Sequence, residues 1–424
     1  MKKYLFILAT AAIVVSCSDQ DTFKKDIQNG KDEAISFVSY SQPTTKAENS
    51  SQTAIWDFFT HHATFQVWGY KNTNKTAVFS ADVVTVAAAE SPATGYTYTY
   101  SPTRYWDKAA TTYRFYAAAP SNADWSFEGV SNDDNQDQSA GYFKTTSTIN
   151  GDNLMATPNT TLSNSFKSAT NDKDKLIAEP CVVNKAKFSQ DVQLNFIHIL
   201  SKLNVSIQKH ATKLASQTVT LKSFEVKNLY NKGDFDENTS VTNLAAGSND
   251  RWTKAAGATA VTYSSKTNWV VPATKTYIIE SLVIPQDAAV EVVALDGEHH
   301  DAVLYSGYEE YNQLNNASLA NEAAFNELTT EQKTKEAAIA KVTDSSEPYF
   351  KIVYTIQDGN NTAEEFTAFF NLATAFKGTA AQASTLKFNE GWQNTLNITI
   401  EPDEIDFCAD VYQWATTEKD LTVK

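Results

Sequence analysis

Cysteine is nearly missing from this chain, whose 424 residues hold three: Cys17, Cys181 and Cys408. No CxxC pair is among them, so a thiol-based redox or zinc motif is excluded. Whether Cys181 and Cys408 pair in an oxidising compartment is left open, since they lie far apart in sequence. Long apolar runs are missing as well. The run Tyr4–Val15 falls well short of the ~20 residues of a membrane-spanning helix, and no later run approaches that length. Positive charge is in deficit: 35 Lys and Arg against 50 Asp and Glu give a formal net charge of −15. Such a surface is the opposite of one that displaces counterions from nucleic acid, so nucleic acid is excluded as a partner.

The motifs of common enzymes are absent too: there is no P-loop, no GxGxxG after a strand and no GxSxG. The adjacent histidine pairs His61-His62 and His299-His300 read as surface residues, because neighbours on a strand point to opposite faces and chelate poorly. His198 stands in an apolar strand and reads as a core histidine. Acidic runs at Asp133-Asp134 and Asp234–Glu237 are expected to be solvated loops. Nothing in the sequence points to catalysis, a metal or a cofactor.

What is present begins at the N-terminus. A basic Met1-Lys2-Lys3 leads into the apolar run, which has the layout of a secretory signal peptide. Its end, Val14-Val15-Ser16-Cys17, resembles the bacterial lipobox. That resemblance implies removal of residues 1–16 and acylation of Cys17, with ~0.8 kcal/mol of membrane affinity per buried methylene. Residues 17–33 are polar and without strand periodicity, and read as a flexible tether. Asp19 and Asp21 resemble the acidic export signal of surface lipoproteins in Bacteroides-like bacteria.

Beyond the tether the texture is β. YTYTY (96–100) has one aromatic face, and RFYAAAP runs from Arg114 to a stop at Pro120. VQLNFIHIL puts Val192, Leu194, Phe196, His198 and Leu200 on one face, after which the apolar phase shifts to Leu203, Val205 and Ile207. A bulge or turn near Ser201 follows, since a one-residue slip exchanges the faces. Further strands are expected at 219–230, 276–285, 349–356, 396–400 and 405–411. With no βαβ rhythm, the fold class is mainly β, built from antiparallel sandwiches. The expected division is an N-terminal domain over 34–190 and a C-terminal domain over 191–424. The second carries a helical insertion near 317–342, capped at Thr329 with Gln332. Segments 128–153, 157–175 and 231–268 read as loops. Eight tryptophans, Trp56, Trp68, Trp106, Trp125 and Trp252 among them, read as core packing in preference to sugar-stacking platforms.

Several stretches in order resemble the fimbrillin family, the FimA- and Mfa-like lipoprotein pilins of Bacteroides and Porphyromonas relatives. They are TKAENSS (45–51), FQVWGY (65–70), TYTYSPTRYWDKAATTYRFYAAAP (97–120), LMAT (154–157), VQLNFIHILSKLNVSI (192–207), NLYNKGDF (228–235), VIPQ (283–286) and GWQNTLNITIEPDEIDFCADVYQW (391–414). The resemblance implies two transthyretin-like β-sandwich domains and a lipoprotein precursor held at the surface of the cell outer membrane. It further implies a protease that removes the first strand, and another pilin subunit whose C-terminal strand fills the groove. Head-to-tail repetition of that contact would build a fimbrium that adheres to a host or bacterial surface ligand. Carried onto this sequence, the displaced strand is AISFVSY (34–40), with Ile35 and Phe37 on one face and Val38 opposite. The donor lies between 405 and 424, where Ile405, Phe407, Ala409 and Val411 alternate. Pilins of this family are cut after arginine, but the first arginine here is Arg104, so Lys46 in QPTTKAENS is the candidate processing site. Without a cut the chain would be a membrane-retained anchor subunit. A rival reading is a monomeric surface glycan-binding lipoprotein, which exposed coplanar tryptophans would mark.

Overall fold

A computed structural model describes residues 33–40, 63–72, 76–87, 97–130, 141–149, 158–160, 174–239, 250–265, 268–290, 303–306, 348–371, 385–402 and 405–413. Cys17, Lys46, Trp56, the two histidine pairs, Asp133-Asp134 and the helical segment expected at 317–342 lie outside the described residues.

Ten strands come from the first part of the chain: β1 (Phe37–Tyr40), β2 (Thr64–Lys71), β3 (Thr76–Ala87), β4 (Thr97–Thr99), β5 (Thr112–Ala119), β6 (Ser126–Glu128), β7 (Tyr142–Thr148), β8 (Leu176–Ala178), β9 (Cys181–Asn184) and β10 (Val192–His198). One eight-stranded sheet runs β1-β10-β8-β5-β2-β3-β4, with β9 beside β5. β5 stops at Pro120, as a residue without an amide hydrogen dictates. β10 buries Val192, Leu194, Phe196 and His198 in alternation.

Fourteen further strands follow: β11 (Ser201–Lys209), β12 (Gln217–Tyr230), β13 (Lys232–Asp236), β14 (Trp252–Lys254), β15 (Ala260–Ser264), β16 (Trp269–Val270), β17 (Thr276–Val283), β18 (Gln286–Val290), β19 (Val303–Ser306), β20 (Tyr349–Asp358), β21 (Glu364–Asn371), β22 (Thr385–Phe388), β23 (Trp392–Ile400) and β24 (Ile405–Gln413). They form a β17-β11-β23-β24 sheet, a β15-β12-β20-β21-β19 sheet with β16 on β12, and a β18-β22 pair. The described structure is a mainly β, sandwich-type fold. Two pairings are parallel where hairpin logic alone predicts antiparallel ones: β1 with β10, and β11 with β23. Both join segments distant in sequence, as parallel neighbours require.

Two of the expected loop regions contain strands. β7 lies within 128–153, and β13, β14 and β15 lie within 231–268. Except for β15, these join β6 in a sheet ordered β14-β13-β7-β6. The strands are short and mostly polar, so periodicity is weak; burial of Phe143, Phe235 and Trp252 holds them. The acidic run Asp234–Glu237 is therefore not a free loop. Asp234 accepts from the Thr146 hydroxyl (2.5 Å), and Glu237 accepts the Phe143 amide hydrogen (2.9 Å).

Hydrophobic side chains gather in two cores. The first comes from the eight-stranded sheet and includes Ile35, Phe37, Phe65, Phe79, Phe115, Trp106 and Phe196. The second joins Trp68, Tyr116 and Phe143 to Leu203, Val226, Ile279, Ile352 and Leu396. The backbone passes between them at Ile199-Leu200, where the sequence phase shift calls for a turn. That turn is well anchored. Ile199 donates to the Lys175 carbonyl (3.0 Å), the Trp252 indole donates to the Ile199 carbonyl (2.8 Å), and Gly391 donates to the Leu200 carbonyl (2.9 Å). Pairing of β7 with β13 adds a ladder shared by both parts of the chain.

Candidate functional site

β1 and β4 stand at opposite ends of the strand order, yet the sheet curls until its ends approach. Residues 33–40 close the seam. On one side β1 pairs with β10 from Phe37↔Val192 to Tyr40↔Asn195, and Val192 donates to the Ser36 carbonyl (2.8 Å). On the other, Ile35 donates to the Arg104 carbonyl (2.9 Å) and Trp106 donates to the Glu33 carbonyl (3.1 Å). One short segment thus bonds two edges in succession, residues 104–106 through its positions 33–35 and residues 192–195 through its positions 36–40. Its removal would leave two rows of unpaired backbone groups facing one slot.

The slot is apolar. Phe37 is surrounded by the rings of Phe79 (5.5 Å between centroids), Tyr100 (5.7 Å), Phe115 (5.9 Å) and Phe65 (6.3 Å), all edge-on. That arrangement suits the ring quadrupoles. Ile35 is buried beside them, and Ser36 between the two turns outward to donate to the Asp191 carboxylate. Burying the two apolar side chains contributes about 3–6 kcal/mol in all.

The walls are built for this fit. Gly69 belongs to β2, and a Cβ there would come within 2.8 Å of the Phe79 ring and 3.0 Å of the Phe115 ring. The missing side chain lets those rings close under Phe37. Tyr100 packs its ring on Phe37 and Phe79 and donates its hydroxyl to the Ile35 carbonyl (2.6 Å). Burial pushes this phenol's pKa up, so the hydroxyl keeps its proton. Arg104 reaches back to Asp82 (3.3 Å), fixing the outer wall to β3. Trp106 stacks on Phe188 at 4.8 Å and closes the floor.

Ile35 and Phe37, singled out by alternation, are thus brought together in one slot. The aromatic alternation in YTYTY signals Tyr100, but its bond to Ile35 spans 65 residues and leaves no local trace. Ile405, Phe407, Ala409 and Val411 all lie on β24. This strand is outermost in its sheet and pairs antiparallel with β23, from Trp392↔Gln413 to Ile400↔Ile405.

Other polar groups have structural surroundings. His198 meets Asp174 at 2.8 Å in the core. Arg251 and Glu390 form a buried two-pronged ion pair, one arm at 3.0 Å. Burial raises the Glu390 pKa while the guanidinium opposes that rise. Among the described tryptophans, Trp68, Trp106 and Trp252 are buried, and Trp125, Trp269 and Trp392 are half-buried. Cys181 is a free, half-buried thiol whose pKa burial raises. No cluster of metal-ligating side chains occurs among the described residues.

Comparison with known proteins gives one family. The profile of the fimbrillin-like family matches residues 44–317. A fimbrial protein from Bacteroides vulgatus is similar in structure, with 13% identity and a TM-score of 0.47 over 90% of this chain and 99% of that one. The fimbrial anchor protein Mfa2 from Porphyromonas gingivalis is 12% identical, with a TM-score of 0.29 over 91% of this chain and 98% of that one. No curated protein matches the sequence.

Proposed function

The chain belongs to the fimbrillin-like family, and on that premise we propose that it is a structural subunit of an adhesive surface fimbrium, assembled by proteolysis and β-strand exchange. It acts as a building block, not an enzyme. The precursor is a lipoprotein acylated at Cys17 and carried on the outer membrane, with residues 17–33 as its tether. A processing protease cuts after Lys46 and releases everything before Ala47, including the seam residues Ile35 and Phe37. The open slot then accepts the C-terminal strand of another subunit, in which Ile405, Phe407, Ala409 and Val411 form the apolar face. Each subunit fills the slot of the next, and a contact of this kind that does not close propagates as a filament.

The observation that carries this reading is the clamping of residues 33–40 between two distant backbone edges over a ring of four aromatic side chains. Because residues 33–40 precede β2 in the chain, a single cut between the two releases the segment whole. The position of Arg104 supports a cut at Lys46. Its carbonyl and side chain form the slot's own wall, so cleavage after Arg104 would destroy the receptor along with the plug. Deleting residues 405–424 tests the assembly: monomers should accumulate in place of polymers, and polymers of normal length would end the proposal.

A further inference from the structure

We infer that, in the strand exchange proposed above, Ile405-Asp406-Phe407 of a second copy takes the places of Ile35-Ser36-Phe37, and that this single register is the one the slot accepts. The inference rests on that reading and fixes its residue-level fit. The plug reads A-I-S-F-V-S over 34–39, and the donor reads E-I-D-F-C-A over 404–409. Isoleucine and phenylalanine recur at the same spacing in the two segments.

The slot makes that spacing decisive. The position filled by Phe37 touches four rings and is 4% exposed, so a smaller side chain would leave a cavity. On the apolar face of β24 the sequence offers Ile405, Phe407, Ala409 and Val411, of which Phe407 alone is aromatic. Tyr412 falls on the opposite face of the strand. A slip of two residues places Ile405 or Ala409 in the aromatic pocket. A slip of one places Asp406 or Cys408 there, burying a charge or a small thiol. At the isoleucine position the carbonyl accepts the Tyr100 hydroxyl, a bond that any residue's backbone can make and that leaves the choice of register to the aromatic pocket.

One position is mismatched, and it gives the register a signature. Ser36 donates to Asp191 at the exposed rim; Asp406 in its place brings two carboxylates together. Asp406→Ser should therefore make polymers more resistant to dissociation in low salt, where repulsion is least screened. Asp410→Ser should leave that resistance unchanged. β24 is available for transfer because it is the outer strand of its sheet and leaves β23 without parting interior strands.

Cysteine cross-linking in the full-length chain reads the register directly. Side chains at 36 and 191 touch, so Asp191→Cys with Asp406→Cys, in a Cys181→Ser and Cys408→Ser background, should give a ladder of covalent oligomers under mild oxidation. Asp191→Cys with native Cys408 reports a slip of two, and Asp191→Cys with Asp410→Cys a slip of four; neither should yield a ladder. A ladder at 408 or 410 would overturn the register and leave strand exchange standing. No ladder at any position would also overturn it, and the 405–424 deletion would then decide separately whether strand exchange occurs.

Discussion

The hydroxyl of Tyr100 donates a 2.6 Å hydrogen bond to the carbonyl of Ile35, tying one end of the strand order to the segment that closes the sheet. Tyr100→Phe keeps the ring on Phe37 and loses this bond together with the hydroxyl's longer 3.3 Å contacts to the Arg104 carbonyl and amide. The expected cost is about 0.5–1.5 kcal/mol, with faster amide exchange at Ile35 and Phe37 and little change in the second core. Hydrogen exchange resolved by residue checks it.

Phe37 is buried in the first core among four aromatic rings. Phe37→Ala should destabilise the unprocessed chain by about 3–5 kcal/mol. Because residues before Ala47 are absent from a processed subunit, the same substitution should leave the stability of polymers unaltered. Thermal melts of the precursor and of sheared polymers compare the two.

Gly69 stands where the Phe79 and Phe115 rings leave no room for a Cβ. Gly69→Ala should displace the rings that hold Phe37 and cost about 1–3 kcal/mol through overpacking. It should weaken both the plug and the donor that replaces it. Precursor melts and polymer yield should fall together.

Arg251 and Glu390 belong to the buried joint near the passage between the cores. Arg251→Met alone strands a buried carboxylate and should cost about 3–5 kcal/mol, while Arg251→Met with Glu390→Leu should recover most of that loss. Denaturant titrations of both variants give the comparison.

Glu237 has a carboxyl pKa raised by burial, against the bond it accepts from the Phe143 amide. A carboxyl with a folded pKa above its unfolded one binds its proton more tightly in the native state. Its contribution is therefore most favourable below the unfolded value, about 4.3, and is lost as pH rises through the raised folded value. Glu237→Gln should be more stable than the parent near pH 7 and nearly equal to it near pH 4. Melting temperatures across that range test the sign.

Much of the fold was legible wherever periodicity is strong. The alternation in β10 and the phase break before Ser201 mark the end of one strand and the start of another. The β14-β13-β7-β6 sheet was not legible, because its strands are short and polar and are held by contacts such as Trp68 against Phe143 at 5.2 Å. In the candidate site, Ile35 and Phe37 show in their spacing. The opposing wall does not: Arg104 and Trp106 gain their strand-like bonding from residues 33–35 far upstream. Pairing set by the curl of a sheet has no local code.

Release of the closing segment is read by mass spectrometry of the N-terminus of polymers sheared from intact cells. The expected result is a free N-terminus at Ala47, with the acyl chains and residues 33–40 gone. Polymers whose subunits all begin at acylated Cys17 would contradict it.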